Sequence, residues 1–299
     1  MLERRVARPR PAAAVAAARA ALAAKVDPMV TIASLCERRV ALAVELGLLD
    51  AQIEEIIATI CGEVDDSIDV ELYHGSFEGV TEKFVDQHER PIGMLHCAID
   101  GGFGTGALIG DNLFLTAEHN FTHSCSALPF AQRFGWEMSR DAMSATISVV
   151  FNFQKDPAGR PQSSESFPIL DFAERKLKGV DYAILVLGPN ERGLPGKIYG
   201  TLTPASQDLT TKDSLLCIIQ HPDGQQKRVH SGPLLNNDGV EISYSTIDTK
   251  DGSSGAPILD VASGHIVGVH TGGSCNGRGV NFGVAIGAIR AVSPILSQL

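Results

Sequence analysis

The string Gly252-Ser253-Ser254-Gly255-Ala256-Pro257 combines the parts of a covalent catalyst. A serine hydroxyl attacks a carbonyl well only when it stands exposed on a sharply turned backbone. It also needs amide N–H groups free to face the developing oxyanion. Glycine on each side of the serine pair permits those backbone angles without steric cost. Ser254 is the candidate nucleophile, and the amides of Gly252 and Ser254 are the candidate oxyanion donors. A flexible turn would read the same way, so the string needs partners. Leu113-Phe114-Leu115-Thr116-Ala117-Glu118-His119 is a strand-like run ending in histidine. A base at a strand end is held rigidly yet reaches solvent. Asp181 opens the apolar run Tyr182-Ala183-Ile184-Leu185-Val186-Leu187. A carboxylate at the head of a buried strand needs a partner, and a histidine N–H suits it.

The elements around these residues read as short strands. Apolar runs at 93–99, 105–109, 113–117, 146–153, 182–187, 215–219, 241–244, 256–259, 265–270 and 281–286 are separated by Gly, Pro, Asn and Asp. Ile147, Val149 and Phe151 alternate with Ser148, Val150 and Asn152, as in a half-buried strand. This pattern predicts an all-β sandwich or pair of barrels. Residues 157–175 read as a long surface loop, 65–91 as an acidic connection, and 286–296 as a short helix interrupted by Pro294. The first sixty residues differ: Asp27-Pro28 starts one amphipathic helix ending at Gly47, and Asp50 starts a second ending at Gly62.

Gly104-Thr105-Gly106-Ala107-Leu108-Ile109-Gly110, Leu115-Thr116-Ala117-Glu118-His119, Asp181-Tyr182-Ala183 and Gly252-Ser253-Ser254-Gly255-Ala256-Pro257 occur in that order. Together they resemble the trypsin-like serine peptidases, and within them the bacterial glutamyl-endopeptidase branch. The resemblance covers about residues 90–296 and takes residues 157–175 as an insertion. It implies two six-stranded antiparallel β-barrels over residues 66–299, preceded by a helical extension over 1–65. It further implies a His119–Asp181–Ser254 triad acting through an acyl-enzyme, with Gly252 and Ser254 as the oxyanion hole. The animal members carry a cysteine directly after the histidine; Asn120 stands there instead, which favours the bacterial type. Glu118, where a small residue is common, is expected to face solvent.

For substrate selection the resemblance gives two conflicting readings. Thr249 and His270 match the residues that grip an acidic P1 side chain in the glutamyl-endopeptidase branch. Asp248 occupies the position of the aspartate that binds Lys or Arg in trypsin. The acidic reading is preferred here. Gly272-Gly273-Ser274-Cys275 is expected to form the wall along which an extended peptide adds as a strand. The turn His221-Pro222-Asp223-Gly224 is taken as structural. The same family also holds catalytically silent binding modules, which are the alternative to an endopeptidase. A third reading is a latent enzyme regulated by residues 1–65, which would also offer a surface for a protein partner. Members of the trypsin-like class order their pocket with a freed N-terminal amine, and no cleavage site for this is located.

Composition bounds the rest. The chain has 299 residues, 44% of them hydrophobic, and a formal net charge of −10. That balance argues against broad nucleic-acid binding. Its length is enough to bury a core without metals or disulfides. No cofactor is called for. His119, His123 and Cys125 lie close in sequence but in a loop with no further ligands, so no metal site is assigned. Gly101-Gly102-Phe103-Gly104-Thr105-Gly106 resembles a phosphate loop but precedes a strand, not a helix. The six cysteines (Cys36, Cys61, Cys97, Cys125, Cys217 and Cys275) are read as buried free thiols, which favours the cytoplasm, although the even count also permits disulfides after secretion. The Arg-rich start followed by an alanine run looks partly like a targeting peptide, but Arg19 interrupts it and a helical arm fits as well. No stretch is apolar enough for a membrane span.

Overall fold

The computed structural model describes residues 60–62, 64–124, 144–176, 178–209, 211–275 and 279–299. All of them belong to one unit, Glu54–Leu299. The helices expected upstream, Cys36, Cys125 and the side chain of His123 lie outside the described residues. None of the described helices is long and apolar enough to cross a membrane.

Six strands close a barrel: β2 (Ile92–Cys97), β3 (Gly101–Leu108), β4 (Leu113–Thr116), β5 (Ile147–Phe151), β6 (Glu165–Lys176) and β7 (Tyr182–Leu187). Their order is β2-β3-β4-β7-β6-β5, with all pairings antiparallel. The continuous apolar run of β7 follows from burial on both faces. Ala183, Leu185 and Leu187 point into the barrel with Phe114, Phe151 and Phe167, while Tyr182 and Ile184 face the second core.

The remaining strands are β1 (Ile68–Asp69), β8 (Leu215–Gln220), β9 (Arg228–Pro233), β10 (Asn236–Asn237), β11 (Glu241–Tyr244), β12 (Pro257–Asp260), β13 (Ile266–Ser274) and β14 (Val280–Ala285). They form one sheet in the order β1-β9-β8-β12-β13-β14-β11-β10. The second barrel is therefore not closed by a continuous ladder, which corrects the expectation of two closed six-stranded barrels. The reason lies at Pro233-Leu234-Leu235. Pro233 ends β9 without an N–H to donate. Leu234 N–H then bonds Ser214 O beside β8 at 2.8 Å, and Leu235 N–H bonds Ser243 O on β11 at 2.9 Å. One stretch of chain thus passes from one edge of the sheet to the other and curls it into a half-barrel.

The described residues also include three short α-helices, α1 (Glu82–His88), α2 (Pro195–Tyr199) and α3 (Ile286–Arg290), and several single helical turns. Thr81 caps α1 by accepting the Phe84 N–H at 3.1 Å.

Two other expectations change. The predicted loop 157–175 contains most of β6, whose Phe167 and Ile169 are fully buried and which closes the first barrel. Cys61 and Cys275 form a disulfide across 214 residues, whereas Cys97 and Cys217 are buried free thiols. The domain's contacts therefore begin upstream of residue 66.

Candidate active site

Strand register brings the base and the acid together. β4 and β7 are antiparallel neighbours, with Thr116 opposite Ala183. The chain leaving β4 therefore meets the chain entering β7. Three residues past Thr116 stands His119, and two residues before Ala183 stands Asp181. His119 Nδ1 lies 2.5 Å from Asp181 Oδ2. The other carboxylate oxygen accepts the backbone N–H groups of Glu118 at 2.8 Å and His119 at 3.1 Å. The carboxylate is thus held by three donors, and the imidazole cannot swing without breaking the contact. Both side chains are 19% exposed, so the pair reaches the surface and is not sealed in the core.

Glu118 does not face solvent. It is 3% exposed, pairs with Arg175 and accepts the Thr122 hydroxyl at 2.9 Å. The Arg175 guanidinium also lies over the Phe172 ring, 4.7 Å from its centroid. This bridge ties the histidine turn to β6.

The Ser254 loop comes from the second sheet but is fastened to the first barrel. Thr105 N–H and Asn120 Nδ2 both donate to Ser254 O at 2.9 Å. Thr105 Oγ1 donates to Gly252 O at 2.6 Å and accepts the His221 N–H at 3.0 Å. Gly255 sits where the loop crosses β3 and β4. Its φ is +91°, and a Cβ there would overlap Thr116 Oγ1 and the Thr105 carbonyl, so only glycine fits. Asn120, adjacent to His119, thus spans the seam between His119 and the Ser254 loop. Ser254 is half-buried, and among the described residues its hydroxyl makes no hydrogen bond, to His119 or otherwise.

Two further bonds aim the loop's amides. Asp223 N–H donates to Asp251 O at 2.5 Å, and Ala256 N–H donates to Ser253 O at 2.9 Å. In a trans peptide the N–H points opposite the C=O. Fixing those two carbonyls therefore turns the N–H groups of Gly252 and Ser254 the other way. Neither of these amides has a hydrogen-bond partner among the described residues. Asp223 adopts φ 55°, a conformation uncommon for a non-glycine residue. Ser253 is fully buried, and its hydroxyl accepts the Lys250 N–H at 3.0 Å, a turn contact.

The predicted substrate residues separate into two groups. Thr249 and His270 are 1% and 2% exposed, and Asn281 donates to Thr249 Oγ1 at 3.1 Å. His270 Nδ1 lies 2.6 Å from the Tyr244 hydroxyl. Burial, with the nearby His119 adding to it, pushes His270 down to about 3, so its ring is neutral. Burial raises Tyr244 well above its usual value. Asp248 does not join this group. Its oxygens accept the N–H groups of Cys61 at 2.6 Å and Asp66 at 2.8 Å. Gly272 and Gly273 pair with β14 on one side, while β12 pairs no further along β13 than Val269. One edge of that stretch is left without a strand partner.

Thr105, Thr116, Asn120 and Asp223 stand in or beside the motifs of the sequence, but these contacts are not legible there. Their roles come from contacts more than a hundred residues away in sequence or from one turn's backbone. Among the described residues no cluster of three His, Cys, Asp or Glu side chains is placed to hold a metal ion.

Residues 104–269 match the trypsin-like peptidase domain, a span that contains His119, Asp181 and Ser254. The chain belongs to the trypsin-like peptidase family. The solved structure of a Glu endopeptidase in complex with MPD superposes with a TM-score of 0.51 at 19% identity, covering 80% of this chain and 96% of that one. Human heparin binding protein superposes with a TM-score of 0.51 at 14% identity, over 76% and 94%. At these identities the likeness shows the fold, a peptidase-type double barrel. In sequence, 171 residues are 27% identical to y4fB, an uncharacterised protein of Sinorhizobium fredii. The match spans 52% of this chain but 23% of that protein's length.

Proposed function

We propose that this trypsin-like peptidase is a serine endopeptidase with His119, Asp181 and Ser254 as its triad. The observation that carries the reading is the Asp181–His119 pair fixed at the β4–β7 edge, with the Ser254 loop fastened to the same turn through Asn120 and Thr105. On this reading His119 Nε2 takes the proton of Ser254 Oγ as it attacks the peptide carbonyl. The same proton then goes to the leaving amine, and a water repeats the cycle to release the acyl group. Asp181 keeps the tautomer with Nδ1–H and stabilises the imidazolium. The N–H groups of Gly252 and Ser254 receive the oxyanion.

The P1 side chain is acidic on this reading. The Asp248 carboxylate is buried, with each oxygen bonded by a backbone amide, so it is not open to a Lys or Arg. Thr249 and His270 remain to receive the substrate carboxylate, with the His270 ring held by the Tyr244 hydroxyl and the Phe282 backbone. The unpaired edge at Gly272-Gly273 supports strand addition by the substrate backbone. Residues 1–65 are assigned a regulatory or adaptor role towards this domain or a protein partner. The test is kcat/KM for peptides that differ only at P1. Preference for Glu over Gln and Arg is expected, and preference for Arg would overturn the pocket assignment.

A further inference from the structure

Residues 247–252 connect β11 to the nucleophile loop without belonging to any strand, so something else must fix their position. Asp248 is 3% exposed, yet each of its polar groups is bonded. Its two carboxylate oxygens accept the amides of Cys61 and Asp66. Its N–H donates to His230 Nδ1 at 2.9 Å, and its carbonyl accepts Gln220 Nε2 at 2.8 Å. A carboxylate is tolerated at such depth only when donors surround it, so its presence marks a position held for a purpose.

The same upstream segment reaches the site twice more. Asp65 lies 2.8 Å from Lys250 Nζ, which is also 3.6 Å from Asp223. The bond to Asp65 raises Lys250. Burial works against ionisation of Asp65, but its bonds to Lys250 and Ser67 outweigh that and hold the carboxyl below its usual range. Asp223 is the residue whose N–H fixes the Asp251 carbonyl and so aims Gly252 N–H. Finally, the Cys61–Cys275 disulfide ties the segment to the end of β13, the strand that carries His270 and the Gly272-Gly273 edge.

We propose that Cys61, Asp65 and Asp66 form a clamp that positions the catalytic segment 248–252, with Asp248 as its buried positioning residue. This rests on the endopeptidase reading above. Asp248 touches no substrate. It acts through the backbone it holds, keeping Thr249 at the pocket wall and Gly252 N–H at the oxyanion position. A misplacement of about 1 Å at such a site costs on the order of 100-fold in rate.

The experiment compares the full-length chain with Asp248→Asn, Asp65→Asn and Cys61→Ser by amide hydrogen exchange and by kcat and KM. In Asp248→Asn the carboxamide turns an NH2 towards a backbone N–H. Exchange across residues 248–254 is expected to accelerate at least about tenfold while β3, β4 and β7 keep their protection, and kcat to fall about 10–100-fold with little change in KM. Asp65→Asn, a partly exposed and fold-neutral change, should move both readouts in the same direction by about threefold, and Cys61→Ser by an intermediate amount. Unchanged exchange at 248–254 in the variants that fold would overturn the clamp. Faster exchange with unaltered kcat would overturn its link to catalysis. A wild type with no hydrolytic activity would sink the endopeptidase reading instead, and the exchange data would still decide whether Cys61, Asp65 and Asp66 hold this segment.

Discussion

In the closed barrel, His119 and Asp181 meet because two hydrogen-bonded strands end side by side. The barrel behind them is packed with Phe103, Phe114, Phe121, Phe151 and Phe167. In the half-barrel, Ser254 and Thr249 lie outside the strands, and His270 alone is held by a ladder, opposite Gly283. They are surrounded by buried polar groups: His230, Asp248, Ser253, Tyr244 and Asn281. Ladder geometry is local and cooperative, so one half of the site is set once the barrel closes. The other half depends on individual side-chain bonds to backbone, several of them reaching back to residues 61–66. The half of the site held by such individual bonds is the one that carries Ser254, the proposed nucleophile.

The difference can be sharpened by matched substitutions. Asp181→Asn keeps the shape of the closed-barrel pair but favours the wrong imidazole tautomer. It should lower kcat by about 10,000-fold with the fold intact. That is far more than the 10–100-fold expected for the same exchange at Asp248. Equal losses at the two positions would erase the distinction between a reacting pair and a positioning carboxylate.

Acid should loosen the half-barrel first. Burial pushes His221 and His270 down to about 3, and lowers His230 as well. All three lie on or beside β8, β9 and β13. A neutral folded histidine with a depressed pKa contributes its full stability above the unfolded value of about 6.5. That contribution is lost progressively as pH falls towards 3, because the unfolded chain takes up the proton first. Each such histidine costs up to about 1.4 kcal/mol per pH unit in that window. Amide exchange between pH 7 and pH 4.5 should therefore accelerate in β8, β9 and β13 before it does in β3, β4 and β7. The reverse order would break the comparison.

Within the half-barrel, His270→Ala should lower kcat/KM for a P1 Glu peptide by about 10–100-fold and for the Gln analogue much less. Unchanged Glu selectivity would remove His270 from the pocket. The smallest effect is expected at the seam. Thr105→Val leaves Gly252 O and the His221 N–H each short of a partner. It should cost about 1–3 kcal/mol, read as a Tm lower by several degrees, together with a kcat reduced about tenfold. An unchanged Tm would mean that the seam bonds are replaced by other contacts.

What the sequence made legible follows the same divide. β7 and β11 fall at the predicted bounds because their apolar runs are short and flanked by turn residues. The three residues proposed to react could be singled out because each sits beside such a run. β6 was hidden because Pro168 interrupts it and bulges at Ile169/Asp171 and Phe172/Glu174 shift its period. β9 was hidden because its buried residues include His230 and Ser231, whose polarity is satisfied by Asp248 N–H and Leu216 O. The roles of Asp248 and Glu118 depend on partners 187 and 57 residues away. The pairing of Cys61 with Cys275 is one of the many connectivities that six cysteines allow. Local pattern carries the barrel strands, while long-range polar bonds carry the specificity half of the site.

The most direct measurement is labelling of the full-length chain with a fluorophosphonate serine probe, comparing wild type with Ser254→Ala and locating the adduct by peptide mapping. The account predicts an adduct on Ser254 in wild type and none in the variant. An adduct on another serine, or a wild type that stays unlabelled under conditions where the fold is intact, would contradict it.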